Sequence, residues 1–125
     1  AIHKFTRAIL RGEPVPMFGD GETRRDYTYI DDIIDGVVLC VDTPFDYEIF
    51  NLGEHHTTTL RDLIAIIEKA AGKTAVIDRK PAQPGDVEIT YADISHARER
   101  IGYNPRFGME EGVRRFLDWY RAQDA

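Results

Sequence analysis

Apolar positions along the chain change period several times, and each change marks an element. Ile2, Phe5, Ile9 and Leu10 recur at helical spacing through residues 1–11, and Gly12 and Pro14 stop the run. Residues 15–18 then read as a short strand, Gly19-Asp20-Gly21 as a turn and residues 25–30 as a second strand, an outline that predicts a β-hairpin. Asp31 or Asp32 is placed to cap the next helix. Its Ile33, Ile34, Val37, Val38 and Val41 make a broad apolar face ending near Pro44, the pattern of a core helix. Residues 47–52 alternate loosely up to Gly53 and predict a strand. Thr59 precedes a helix in which Leu60, Leu63, Ile64, Ile67 and Ala71 share one side, with Gly72 as its stop. Residues 75–77 predict a short strand, and 80–93 a proline- and glycine-punctuated loop with a small strand at 89–91. Helices at 94–101 and 109–121 close the chain, the second with Val113, Phe116, Leu117 and Tyr120 on one side. No repeat, low-complexity tract or linker divides this α/β sequence, so residues 1–125 are expected to form one domain.

Length and charge narrow the picture. A chain of 125 residues can bury a core without disulfides or a structural metal. A formal charge of -6 and a pI near 5.1 disfavour nucleic acid held by bulk electrostatics, so any phosphate binding is local. Cys40 is the only cysteine, which rules out a disulfide framework or a cysteine-rich zinc site within the chain and points to a reducing compartment, the cytoplasm. No apolar run of about 18 residues and no signal-peptide pattern occurs, so no membrane partner is expected. The first residue is Ala1, not Met, and it opens directly on a helical pattern, which predicts a piece of a longer protein.

Alternation from residue 25 puts Arg25, Tyr27 and Tyr29 on one strand face and Asp26, Thr28 and Ile30 on the other. A guanidinium on a rigid strand can grip a phosphate through two parallel hydrogen bonds, with an aromatic ring as a stacking wall. An exposed arginine over partly buried tyrosines explains the same residues without a ligand, and these three positions alone do not decide. Gly19-Asp20-Gly21 is no dinucleotide loop, because Arg24 stands at the third glycine position and the segment leads into a strand, not a helix. No tyrosine has a lysine four residues later: Tyr27 is followed there by Asp31 and Tyr91 by Ser95. No catalytic apparatus is therefore visible. His55 and His56 are adjacent and lack zinc spacing, so no metal is expected. Asp31, Asp32 and Asp35 read as a helix start and a solvated face. Gln83-Pro84-Gly85-Asp86 is a turn from which Gln83 and Asp86 project and can hydrogen-bond a sugar hydroxyl.

In order along the chain, "IHKFTRAILRGEPVPMFGDGETRRDYTYIDDIIDGV", "YEIFNLG", "TLRDLIAIIEKAAGK", "QPGDVEITYADISHARERIGYNP" and "MEEGVRRFLDWY" resemble the C-terminal portion of extended short-chain dehydrogenase/reductases acting on nucleotide sugars. "QPGDV" followed by "TYADISHA" is most similar to the UDP-glucuronate epimerases. The resemblance implies a small mixed-sheet and helix substrate-binding domain whose N-terminal Rossmann domain, absent here, holds NAD and the catalytic tyrosine and lysine. It places Phe18 against uracil with Val15 beside it, Arg25 on the pyrophosphate and Asp86 on the uridine ribose, and the strand alternation adds Tyr27 as the aromatic beside Arg25. Gln83 takes a place that is arginine in the galactose-epimerase branch, which removes one charge from the phosphate site. The isolated chain would bind a UDP-sugar without turning it over, and the full-length enzyme would be a cytoplasmic homodimer formed through Rossmann helices. Two alternatives remain open: a dehydratase or decarboxylase parent, or a stand-alone, non-enzymatic ligand-binding or interaction module.

Overall fold

The computed structural model describes residues 1–123. Its elements run α1 (Ile2–Arg11), β1 (Pro14–Phe18), β2 (Arg24–Arg25), α2 (Ile30–Asp42), β3 (Thr58–Thr59), α3 (Leu60–Ala71), β4 (Val76–Lys80), β5 (Ile89–Thr90), α4 (Ser95–Ile101) and α5 (Met109–Gln123). Each helix follows an apolar stripe. Helix α3 shows why most clearly: Thr59 accepts a hydrogen bond from the Asp62 amide at 3.0 Å at its start, and Gly72, at φ 69°, turns the chain out of it at its end. Thr59→Ala is expected to cost about 1 kcal/mol, read as a lower urea midpoint with an unchanged slope.

The strands form two small sheets. β1 and β4 pair in parallel, with Val15 opposite Ile77 and Phe18 opposite Lys80, and α3 makes the crossover that a parallel pair requires. β2 lies between β3, antiparallel, and β5, parallel. The expected β1–β2 hairpin does not form. The turn carbonyls that would start it are taken by α3: the Arg61 amide bonds Gly21 O at 3.0 Å and the Leu60 amide bonds Thr23 O at 2.9 Å.

Two apolar clusters hold these pieces together. Helix α3 packs between α1 and α5, enclosing Phe5, Ile9, Val15, Leu63, Ile67 and Leu117. A smaller cluster of Ile94, Ala97, Ile101 and Tyr103 is covered by Phe50 and Leu52. Three expectations are corrected here. The second strand stops at Arg25 instead of running to Ile30. Residues 47–52 are extended but belong to no sheet: Phe50 and Leu52 turn inward while Tyr47 and Ile49 are exposed. Helix α2 is not a core helix, since its buried residues are Asp32 and Gly36, whereas Val38 is 50% and Val41 79% exposed. Among the described residues no helix is long and apolar enough to cross a membrane.

Candidate functional site

The segment joining β4 to β5 bridges the two sheets, and the sequence-predicted polar residues lie along it. At one end, Phe18 finishes β1 beside Lys80, and the Gly19 amide donates to Lys80 O at 2.9 Å. At the other, the Arg24 amide donates to Glu88 O at 2.7 Å and Arg25 stands opposite Thr90. Between them, the Asp86 amide bonds Gln83 O at 3.2 Å, and Gly85 takes a φ of 82° that a side chain would resist. This turn delivers Asp86 to Arg25: Nη2 donates to Oδ1 at 2.6 Å, while Nη1 donates to Arg24 O at 2.7 Å. Both side chains keep some exposure, so an incoming phosphate can compete with the carboxylate for the guanidinium.

The remaining predicted residues separate. Val15 is wholly buried in the main core, which leaves its backbone, not its side chain, to face a ligand. Tyr27 does not share a strand face with Arg25 and Tyr29, because the ladder has already ended. It packs on the main core and lines an apolar groove with Tyr29, Phe107, Phe116 and Trp119. Burial pushes the Tyr27 hydroxyl above its ordinary range, with the nearby Arg25 charge opposing the rise. Gln83 is exposed at the tip of its turn.

One residue that matters to this geometry escaped the sequence reading. Asp26, next to Arg25, accepts the amides of Glu54 at 3.0 Å, His55 at 3.1 Å and Ala92 at 3.2 Å. It ties the end of β2 to the turn after Gly53 and to the residues following β5. Gly53 is required by the same contact, since a Cβ there would sit 2.7 Å from Ala92 Cβ and 2.8 Å from Asp26 Oδ2. The only sequence signal was an acidic residue inside an otherwise cationic and aromatic stretch.

Known proteins share this fold. Residues 1–116 match the family described as GDP-mannose 4,6 dehydratase. The chain is 37% identical over 120 residues to a UDP-glucuronate 4-epimerase of Thermodesulfobacterium geofontis, covering 95% of this chain and 37% of that protein. It is similar to the UDP-glucose 4-epimerase of Thermotoga maritima, solved with UDP-glucose, at a TM-score of 0.92 and 34% identity, over 99% of this chain and 40% of that one. It is also similar to the UDP-glucuronic acid 4-epimerase of Bacillus cereus, solved with UDP-glucuronic acid and NAD, at a TM-score of 0.91 and 33% identity, over 98% and 40%. The chain thus spans well under half the length of the relatives it matches, and the matched portion is part of an extended short-chain dehydrogenase/reductase fold. With residues 1–116 inside the match, the chain belongs to the GDP-mannose 4,6 dehydratase family.

Proposed function

We propose that the chain is the substrate-binding portion of an NAD-dependent nucleotide-sugar epimerase of the UDP-glucuronate kind, and that it holds the UDP half of the substrate. The observation that carries this reading is the Arg25–Asp86 pair between β2 and the loop before β5. In the bound state Arg25 exchanges the carboxylate for the pyrophosphate, and the released Asp86 accepts from the ribose. Phe18 lies against the base with the Val15 backbone beside it, Gln83 borders the diphosphate without adding charge, and Tyr27 bounds the site from the groove.

The cofactor belongs elsewhere. The turn at Gly19-Asp20-Gly21 leads into β2, so its amides do not open a helix and do not fit a dinucleotide. NAD and the tyrosine and lysine that work with it are assigned to a Rossmann domain of the same protein, and this chain supplies binding and orientation. The exposed α2 face, with Ile34, Val37, Val38 and Val41, supports a domain partner of this kind. A cytoplasmic, homodimeric parent completes the reading.

Calorimetric titration with UDP tests it. Arg25→Ala is expected to weaken UDP binding about 10- to 100-fold, the worth of a charged hydrogen-bonded contact, and NAD is expected to give no heat. Unchanged UDP affinity in Arg25→Ala would remove the basis of the assignment. The family description favours a dehydratase as the second reading. Mass analysis of the product made by a protein of the relatives' length separates the two, because an epimer keeps the substrate's mass, dehydration removes water and decarboxylation removes carbon dioxide.

A further inference from the structure

Three acidic side chains from three segments meet where α2 begins: Asp26 after β2, Asp32 in the first turn of α2, and Glu54 in the turn after Gly53. Asp26 is satisfied by its three amides. Asp32, which has no exposed surface, accepts the Arg106 amide at 2.8 Å through one oxygen and the Phe107 amide at 3.0 Å through the other. Glu54 is different. Its Oε1 is buried without a donor, yet its side chain lies within hydrogen-bonding reach of Asp32. Two carboxylates cannot hydrogen-bond each other unless one carries a proton.

We propose that Asp32 and Glu54 share one proton and form a pH-sensitive latch, with Glu54 as the donor, joining α2 to the Gly53-Glu54 turn and, through Asp32, to the backbone at residues 106–107.

The surrounding groups agree on where the proton sits. Burial first, then the bond to Asp32 and the charges of Asp32 and Asp26, push the Glu54 carboxyl up to about 8, against a small opposing effect of the Tyr29 backbone. Burial also raises Asp32, but the bond from Glu54, the two backbone amides and the Arg106 charge outweigh it and hold Asp32 below its usual range. Tyr103 stands beside the pair as a neutral phenol whose hydroxyl donates to Gly53 O at 2.8 Å. The Arg106 guanidinium itself bonds Asp35 at 2.8 Å, and no ion pair to Glu54 occurs among the described residues.

The two acids act in opposite pH directions. Glu54 holds its proton more tightly in the folded chain than in the unfolded one, so its contribution is full below the ordinary glutamate value of 4.5 and is lost as pH rises through about 8. Asp32 contributes at neutral pH and loses its contribution only in acid. Above the Glu54 transition, two negative charges face each other next to Asp26, and the link between α2 and the turn opens.

The test is a carbon-13 titration of the chain labelled at glutamate carboxyls, with Glu54→Gln as the control. One carboxyl is expected to titrate near 8, and its signal to be absent in Glu54→Gln. The wild-type melting temperature should fall between about pH 6 and 9, while Glu54→Gln, whose amide donates to Asp32 at every pH, stays flat over that range. A Glu54 carboxyl titrating in the ordinary range, or an equal alkaline loss in Glu54→Gln, overturns the proposal. If Glu54→Gln fails to fold, the wild-type titration decides: a glutamate carboxyl near 8 supports the latch and the lack of one refutes it.

Discussion

Asp26→Ala is expected to lower the unfolding free energy by about 3 kcal/mol, measured as a reduced urea midpoint. Three backbone amides, from Glu54, His55 and Ala92, converge on this one carboxylate. A hydrogen bond to a charged group contributes about 1.5–3 kcal/mol net, and a buried donor left without its acceptor adds its own desolvation cost. The full sum is not reached, because the His55 contact is exposed and water replaces part of what is lost there. Asp26→Asn keeps one acceptor oxygen but turns an N–H toward the other amides, so it recovers only part of the loss. A wild-type midpoint in Asp26→Ala would show that the turn after Gly53 is held by something else.

The same substitution reaches the candidate site. Asp26 follows Arg25 directly, and Ala92 lies two residues beyond β5, so the carboxylate holds together the β2–β5 pair that sets Arg25 against Asp86. UDP binding should therefore weaken in Asp26→Ala as well. Adding Arg25→Ala to it should cost less than Arg25→Ala alone, because neighbours that share a contact are not additive.

How much of this was legible in the sequence differs by kind of interaction. Helices α1, α3, α4 and α5 follow local apolar periodicity, and their ends fall within a few residues of glycine stops or chain turns that the sequence displays. Strand pairing is settled by groups far apart. Arg25 meets Asp86 and Asp26 meets Ala92 over separations of 61 and 66 residues, and nothing near either residue announces its partner. Alternation after Arg25 misled because the period-two pattern continues in residue type while the ladder stops at two residues. Residues 47–52 have strand character but pair with no other strand. The resemblance put Arg25 and Asp86 on one ligand but not in contact with each other, and taken singly each is an ordinary surface charge. Asp32 read as a helix-start carboxylate. Its burial depends on the loop at 106–107 folding back over it, which no local pattern predicts.

Leu63→Ala is expected to cost about 2–5 kcal/mol, while Val41→Ala stays within about 0.5 kcal/mol of the wild type, although both residues sit on apolar helix stripes of similar spacing. Leu63 has no exposed surface and lies in α3 between α1 and α5, so truncation removes buried methyl groups and leaves a cavity that the helices on both sides can close only in part. Against a total stability of about 5–15 kcal/mol, that is a large fraction. Val41 is 79% exposed, so little is lost on truncation, and alanine's better helix propensity offsets part of that. Urea unfolding of the two variants measures the contrast directly. Equal costs would make α2 a core helix and remove the apolar face that supports a domain partner. In a protein of the relatives' length the proposal requires the difference to narrow, because Val41→Ala would then remove a buried contact at the domain interface.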